Sequence, residues 1–145
     1  MILGMSLATQ GMNLLADERY DANSDDLEVA FERYEARKFD EAATVLRPHA
    51  EKGNARAQLY LATLFRTGSG VKADEYEAAY WYERAARQGV AEAQFHLGIM
   101  YLEGEGVTEN SGMALEWISR AAEQGFGDAV DALSYMLSHN EALDC

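Results

Sequence analysis

Apolar side chains recur every three or four residues along several stretches of this chain, with polar side chains between them. In residues 55–67 the recurring apolar positions are Ala57, Leu61, Leu64 and Phe65. In residues 91–103 they are Ala93, Leu97, Met100 and Tyr101. Side chains at this spacing share one face of an α-helix, whereas a half-buried strand alternates at every second residue. The pattern therefore predicts two amphipathic helices of similar length.

Both helices belong to a longer internal repeat with a period of 36 residues. Residues 55–90 align with residues 91–126 without a gap, and 14 of the 36 aligned positions are identical. Each copy continues through a Gly-x-Gly-Val turn into a second helix, predicted over 74–88 and 110–124. A period between about 20 and 50 residues is typical of stacked repeat architectures. The sequence therefore predicts an all-α solenoid built from helix pairs.

The repeat also divides the rest of the chain. A shorter, divergent unit is predicted over 25–54, because its second half matches the repeat in phase. The matching positions are Ala42, Ala50 and Gly53. A partial unit is predicted over 127–145, where the apolar series continues with Ala129, Leu133 and Leu137. We therefore expect one solenoid domain over 25–145, preceded by a helical or extended segment over 1–24.

The first 16 residues carry no charged side chain, which raises the question of a targeting signal. A secretory signal needs an N-terminal Lys or Arg and an unbroken apolar stretch, but the first basic residue is Arg19 and polar residues interrupt the run. We expect a helix packed on the first unit, and a remnant of an export signal is the alternative. The expected location is the cytoplasm, or the bacterial periplasm if the natural start lies upstream.

The chain is acidic, with 25 Asp and Glu against 12 Lys and Arg and a net charge of −13. This balance argues against nucleic-acid and membrane partners, because both need clustered Lys and Arg. It favours a basic protein partner, or simply solubility. Cys145 is the one cysteine of the sequence, so an intramolecular disulfide cannot form. A free thiol is expected there, with a bridge between two chains as the alternative.

Small residues, glycines and aromatics occupy fixed positions in the second copy. In residues 91–126 they include Ala91, Ala93, Gln94, Leu97, Gly98, Tyr101, Gly104, Gly106, Val107, Ala114, Trp117, Ala121, Ala122 and Gly125. Residues 55–90 follow the same pattern, with Ala62 and Phe65 as departures. The pattern resembles the SEL-one-like repeat family, a branch of the tetratricopeptide-type solenoids. The resemblance implies a right-handed superhelix of antiparallel helix pairs and an adaptor or scaffold role, often bacterial, without a shared active site.

One acidic stretch and three histidines are the candidates for metal chemistry. Residues 21–32 place oxygen-bearing side chains at the spacing of a calcium-binding loop. The glycine needed at its sixth position is Asp26, and Glu28 stands where an apolar residue is wanted, so we expect a helix start there. The sequence contains three histidines: His49, His96 and His139. None of them has a Cys, His or acidic residue at the spacing that metal ligands show. We expect no metal, no cofactor and no enzymatic activity.

In a solenoid of helix pairs, the first helices line the concave wall. The residues of those helices that lie outside the apolar stripe point into the groove. Helical spacing then predicts ten partner-binding residues: Arg56, Tyr60, Thr63, Thr67, Glu92, His96, Ile99, Glu103, Asp128 and Tyr135. Acids and aromatics with one isoleucine suit an extended or helical peptide, anchored by Tyr and Ile. The alternative for each residue is a merely solvated wall.

The sequence thus favours a non-enzymatic module that binds a protein or peptide in its concave groove, as a bacterial adaptor, scaffold or regulator. An immunity or inhibitor protein that neutralises a basic toxin is the alternative within this class. A calcium-dependent sensor or an enzyme, based on residues 21–32, is the alternative from another class. The partial unit over 127–145 adds a second copy of the chain as a further expected partner.

Overall fold

The computed structural model describes residues 24–143, and within that range the chain forms seven α-helices and no strand. The helices are α1 (Ser24–Glu35), α2 (Phe39–Glu51), α3 (Ala55–Thr67), α4 (Glu75–Arg87), α5 (Ala91–Glu103), α6 (Ser111–Glu123) and α7 (Gly127–Leu143). The predicted first helices coincide with α3 and α5. The expectations for the N-terminal segment and for Cys145 lie outside the described residues.

Each helix packs against the next one along the chain, from α1 to α7. Short connections between helices leave consecutive helices antiparallel, so α3 pairs with α4 and α5 pairs with α6. The pairs follow one another in layers, since α4 also packs against α5 and α6 against α7. The predicted all-α solenoid of helix pairs is therefore confirmed.

Equivalent positions of the two repeats are buried in equivalent places. Trp81 and Trp117 are 4% and 5% exposed, and Leu61 and Leu97 are fully buried. Burying a large apolar side chain completely stabilises a protein by about 1.5–3 kcal/mol. The repeated pattern of the sequence is thus a repeated pattern of core contacts, one layer apart.

The glycine turns press on the unit that precedes them. Gly70 and Gly106 have φ angles of +69° and +67°, a left-handed region that side chains disfavour. A Cβ at Gly70 would overlap the backbone of Phe39 and Asp40 at the start of α2, and a Cβ at Gly106 would overlap the carbonyl of Glu75 at the start of α4. Each turn therefore rests on the start of the second helix in the unit before it.

A side-chain cap begins each second helix of the two full repeats. The carboxylate of Asp74 accepts hydrogen bonds from the backbone N–H groups of Tyr76 and Glu77, at 3.0 and 3.1 Å. The amide oxygen of Asn110 accepts one from the N–H of Met113 at 3.0 Å. Both residue types are good helix caps, so the change from Asp to Asn keeps the local structure.

Buried glutamines join each unit to the one before it. The Nε2 of Gln58 donates to the carbonyl of Ala50 at 3.0 Å, and its Oε1 accepts from Gln88 at 2.8 Å. In the next layer, Gln94 donates to Ala86 at 3.1 Å and accepts from Gln124 at 2.9 Å. The sequence shows these glutamines as identical positions, but their role as links between helices emerges only from the structure.

The two tryptophans differ in one hydrogen bond. The indole Nε1 of Trp81 donates to Oε2 of Glu77 at 3.1 Å. The buried Nε1 of Trp117 has no hydrogen-bond partner among residues 24–143, because Met113 occupies the position that corresponds to Glu77. A buried donor without an acceptor is destabilising.

Replacing Met113 with Glu is therefore expected to raise the free energy of unfolding by about 1 kcal/mol. The new carboxylate would accept from Trp117, and it would lie in the first turn of α6, where a negative charge is favourable. Urea denaturation of both proteins measures the change. Met113→Leu is the control, since it keeps an apolar side chain and supplies no acceptor. An equal or lower stability of the Glu variant would contradict the explanation.

Candidate functional site

Three first helices meet at a small cavity on the wall predicted to bind a partner. The cavity has a volume of about 140 Å³ and is lined by Tyr34 of α1, by Leu59, Tyr60 and Thr63 of α3, and by Glu92 of α5. We call it the first-helix pocket. It brings together three of the ten predicted partner-binding residues from two successive repeats.

Tyr60 is held in place by its neighbours. Its ring is 4.6 Å from the ring of Tyr34, nearly edge-on, and 4.9 Å from the ring of Phe31. Arg56 covers the outer side of this cluster, with its guanidinium 3.7 Å from the centre of the Phe31 ring and 3.6 Å from a carboxylate oxygen of Glu28. Tyr60 is thus a wall of a formed pocket, and Arg56 is already engaged by its own chain.

Thr63 links the pocket to the core. Its hydroxyl donates to the carbonyl of Leu59 at 3.0 Å, which uses its one proton. The hydroxyl of Tyr82, 3.0 Å away, is therefore the donor to Thr63. Burial is the main cause that raises the pKa of Tyr82.

His96 lies between Arg66 and Glu92. Nη1 of Arg66 is 3.1 Å from Nδ1 of His96, and because a guanidinium only donates, the ring proton lies on Nε2. Nε2 is 3.9 Å from Oε1 of Glu92, so the expectation that His96 has no acidic partner at ligand spacing is wrong. Burial, followed by the charge of Arg66, lowers the pKa of His96 to about 4, while Asp128 opposes the shift. The imidazole is therefore neutral at neutral pH.

The low pKa of His96 makes the stability of the protein fall in mild acid. Between the unfolded value near 6.5 and the folded value of about 4, the unfolded chain binds more protons than the folded chain. Lowering the pH through this window therefore favours unfolding. We expect His96→Gln to reduce the loss of unfolding free energy between about pH 7.5 and about pH 5, measured by urea denaturation. An unchanged loss would show that His96 is charged in the folded state.

The other predicted wall residues are spread along α3, α5 and α7. Thr67 is exposed and donates to the carbonyl of Thr63 at 2.9 Å. Glu103 and Asp128 are exposed, whereas Ile99 is partly buried and packs against the smaller core cluster under α7. The exposed residues remain accessible to a partner, while Ile99 is mainly a packing residue.

Tyr135 lies at a different cavity from Tyr60. This cavity, of about 330 Å³, is lined mostly by apolar side chains of α5, α6 and α7, among them Leu102, Leu115, Tyr135 and Leu137. Leu115, Tyr135 and Leu137 are exposed, and the ring of His139 lies 3.9 Å from that of Tyr135. Binding of a second copy of the chain at this end stays a prediction.

A further cavity, of about 870 Å³, lies outside the predicted wall. It is lined by three basic residues, Arg47, Arg66 and Lys72, and by three acidic residues, Asp74, Glu75 and Glu77. Asp74 caps α4 and Glu77 binds the indole of Trp81. Because the charges balance and two of the acids already have structural roles, the cavity favours neither a cationic nor an anionic ligand.

The acidic stretch is a helix from Ser24 onward, as expected from its apolar spacing. Residues 21–23 lie outside the described part of the chain. Among residues 24–143, no three His, Cys, Asp or Glu side chains come together in a way that could hold a metal ion. In the same range, no helix is both long and apolar enough to cross a membrane.

Sequence reasoning missed two residues of the first-helix pocket, Tyr34 and Leu59. Tyr34 belongs to the divergent first unit, whose shorter turn breaks the 36-residue phase, so no position 36 residues later points to it. Leu59 was missed because it lies beside the predicted apolar stripe; the structure shows it buried.

Known proteins that are similar to this chain share its architecture of stacked helix pairs. Residues 55–90 and 91–126 each match the Sel1 repeat. The chain belongs to the Sel1 repeat family, whose repeats generally serve as protein–protein interaction modules.

Two solved structures show a clear likeness in sequence and fold. A protective antigen, c5321, of uropathogenic Escherichia coli strains is 39% identical over 70% of this chain, with a TM-score of 0.69. A Sel1 repeat protein from Oxalobacter formigenes is 36% identical over 79% of this chain, with a TM-score of 0.74. This chain spans only 22% and 45% of the length of those two proteins.

A third structure shares the fold alone. Cysteine-rich protein B of Helicobacter pylori is 21% identical over 77% of this chain and 98% of its own length, with a TM-score of 0.61. No curated protein matches the chain.

Proposed function

We propose that this chain is a non-enzymatic module that binds a protein or peptide along the wall formed by α1, α3, α5 and α7. The first-helix pocket is the observation that carries this proposal, because side chains of three successive first helices meet there. A partner segment lying across the wall would contact several units at once, as is typical of solenoid surfaces. The bacterial origin of the similar structures supports an adaptor or scaffold role in bacteria.

We further propose that the partner presents a basic surface to this wall. Glu92, Glu103 and Asp128 lie exposed along α5 and α7. The arginines of α3 are engaged within the chain, Arg56 by Glu28 and Arg66 by His96. With a net charge of −13, the protein attracts basic partners and repels acidic ones, which favours both encounter and selectivity.

The wall is tested by reversing a charge on each side of the solenoid. We expect Glu92→Lys to weaken binding of the partner protein, identified by affinity enrichment, at least about tenfold, because it places a positive charge in the pocket. The matched control is Glu116→Lys on the second helix α6, which makes the same charge change at an exposed residue and should keep wild-type affinity. Affinity enrichment with quantitative mass spectrometry identifies the protein, and calorimetry measures the affinity. Equal binding by both variants would place the interface away from this wall.

A further inference from the structure

Building on the proposed binding wall, we propose that the first-helix pocket holds one arginine side chain of the partner. The pocket has a volume of about 140 Å³, well below the roughly 300–1,000 Å³ of small-molecule sites. It is therefore sized for a single side chain. Its lining combines an acid, a hydroxyl, one leucine and two tyrosine rings, a set that matches a cationic side chain with an apolar stem.

Glu92 supplies a negative charge that no side chain in the described part of the protein neutralises. Among the described residues its ionic neighbour is His96, at 3.9 Å, and that imidazole is neutral. The guanidinium of Arg66 points instead to Nδ1 of His96 and to Glu105, at 3.1 and 3.9 Å. The Glu92 side chain is half exposed, so a partner can reach its carboxylate.

The charge of Glu92 acts on the phenol groups around the pocket. The pKa values of Tyr34 and Tyr82 are raised, first by burial, and the carboxylate of Glu92 contributes in both cases. At Tyr82 the charge of Arg66 opposes that of Glu92, whereas at Tyr34 the carboxylates act without an opposing cation. The potential is thus negative on the Tyr34 side of the pocket, where it favours a cation. An acidic side chain would be repelled there, and a purely apolar one would bury the carboxylate without a partner.

The tyrosine rings select arginine from among the cations. A guanidinium is planar, stacks on aromatic faces and also forms two parallel hydrogen bonds with a carboxylate. Tyr34 and Tyr60 meet nearly edge-on, with 79° between their planes, so their faces are turned in different directions. The chain itself uses this chemistry nearby, where Arg56 stacks on Phe31 at 3.7 Å.

The test uses N-acetyl-arginine amide as the probe and N-acetyl-citrulline amide as its neutral control of the same shape. Both are titrated into the full chain labelled with nitrogen-15. We expect saturable shifts of the Tyr34, Thr63 and Glu92 amide signals with the arginine probe, and at least about tenfold weaker binding of citrulline. Glu92→Gln should remove the difference between the probes, whereas Glu116→Gln, on α6 and away from the binding wall, should preserve it.

Equal binding of the two probes, or no shift at the pocket signals, would overturn the arginine assignment. The assignment would also be overturned if the Glu92→Gln protein, with an unchanged helical circular dichroism spectrum, still bound arginine more tightly than citrulline. These results are separable from failure of the proposed binding wall. If the Glu92→Lys protein loses its captured partner while arginine and citrulline bind alike, the wall stands and the arginine pocket does not.

Discussion

Replacing Gly106 with alanine is expected to lower the free energy of unfolding by about 3 kcal/mol. Two effects add. A residue with a Cβ is strained at the φ of +67°, and its methyl group would overlap the carbonyl oxygen of Glu75. The overlap is with backbone at the start of α4, which cannot rotate away as a side chain could. Urea denaturation followed by circular dichroism measures the loss.

Gly125→Ala separates the two effects. Gly125 also has a left-handed φ, +81°, but apart from its two chain neighbours no atom of the described residues lies within 4 Å of the position of its Cβ. The free energy of unfolding of this variant should therefore fall only by the cost of backbone strain, about 1 kcal/mol. If both variants lost the same stability, the close approach between the turn and α4 would contribute nothing. Gly70→Ala should resemble Gly106→Ala, because Gly70 meets the start of α2 in the same way.

Replacing Gln94 with methionine is expected to lower the free energy of unfolding by about 2 kcal/mol. The two side chains are similar in size, so the core stays filled. The carbonyl of Ala86 would lose the bond from Gln94 and keep the one from the N–H of Gly89 at 3.0 Å, and the amide of Gln124 would lose its acceptor. Two hydrogen bonds are therefore removed, each worth about 1 kcal/mol. Thermal and urea denaturation both report the change.

The matched control is Gln124→Ala, which removes only the exposed member of the pair. We expect it to cost about 1 kcal/mol, because Gln94 keeps its bond to Ala86 and water can replace Gln124. The double variant should be less destabilised than the sum of the single variants, since one bond is removed in both. Full additivity would show that the two glutamines act independently.

The helices of the two full repeats were predictable because several signals agree there. The apolar spacing, the glycines of the turns and the repeat itself indicate the same boundaries for α3 and α5. The first unit was less clear. Helix α1 ends at Glu35, and the turn that follows contains Arg37 at a φ of +61°. A left-handed turn made by an arginine carries no glycine signal, so its left-handed conformation could not be read from the sequence.

The candidate site was predictable as a surface and not as a set of contacts. Helical spacing placed Tyr60, Thr63 and Glu92 on one wall, and the structure brings these three to one pocket. The bond between Thr63 and Tyr82 joins residues on different helices, which spacing along one helix cannot reveal. The same limit applies to the bond between Arg66 and His96, on which the tautomer of the histidine depends.

The seating of each glycine turn on the preceding second helix has a consequence for how such chains grow. The contact of Gly70 with Phe39 and Asp40 recurs 36 residues later as that of Gly106 with Glu75. The second helix of each repeat thus presents the surface on which the glycine turn of the next repeat packs. A tandem duplication of 36 residues inserted after Val90 would meet matching surfaces on both sides, so the protein could be lengthened by whole copies without redesigning any junction.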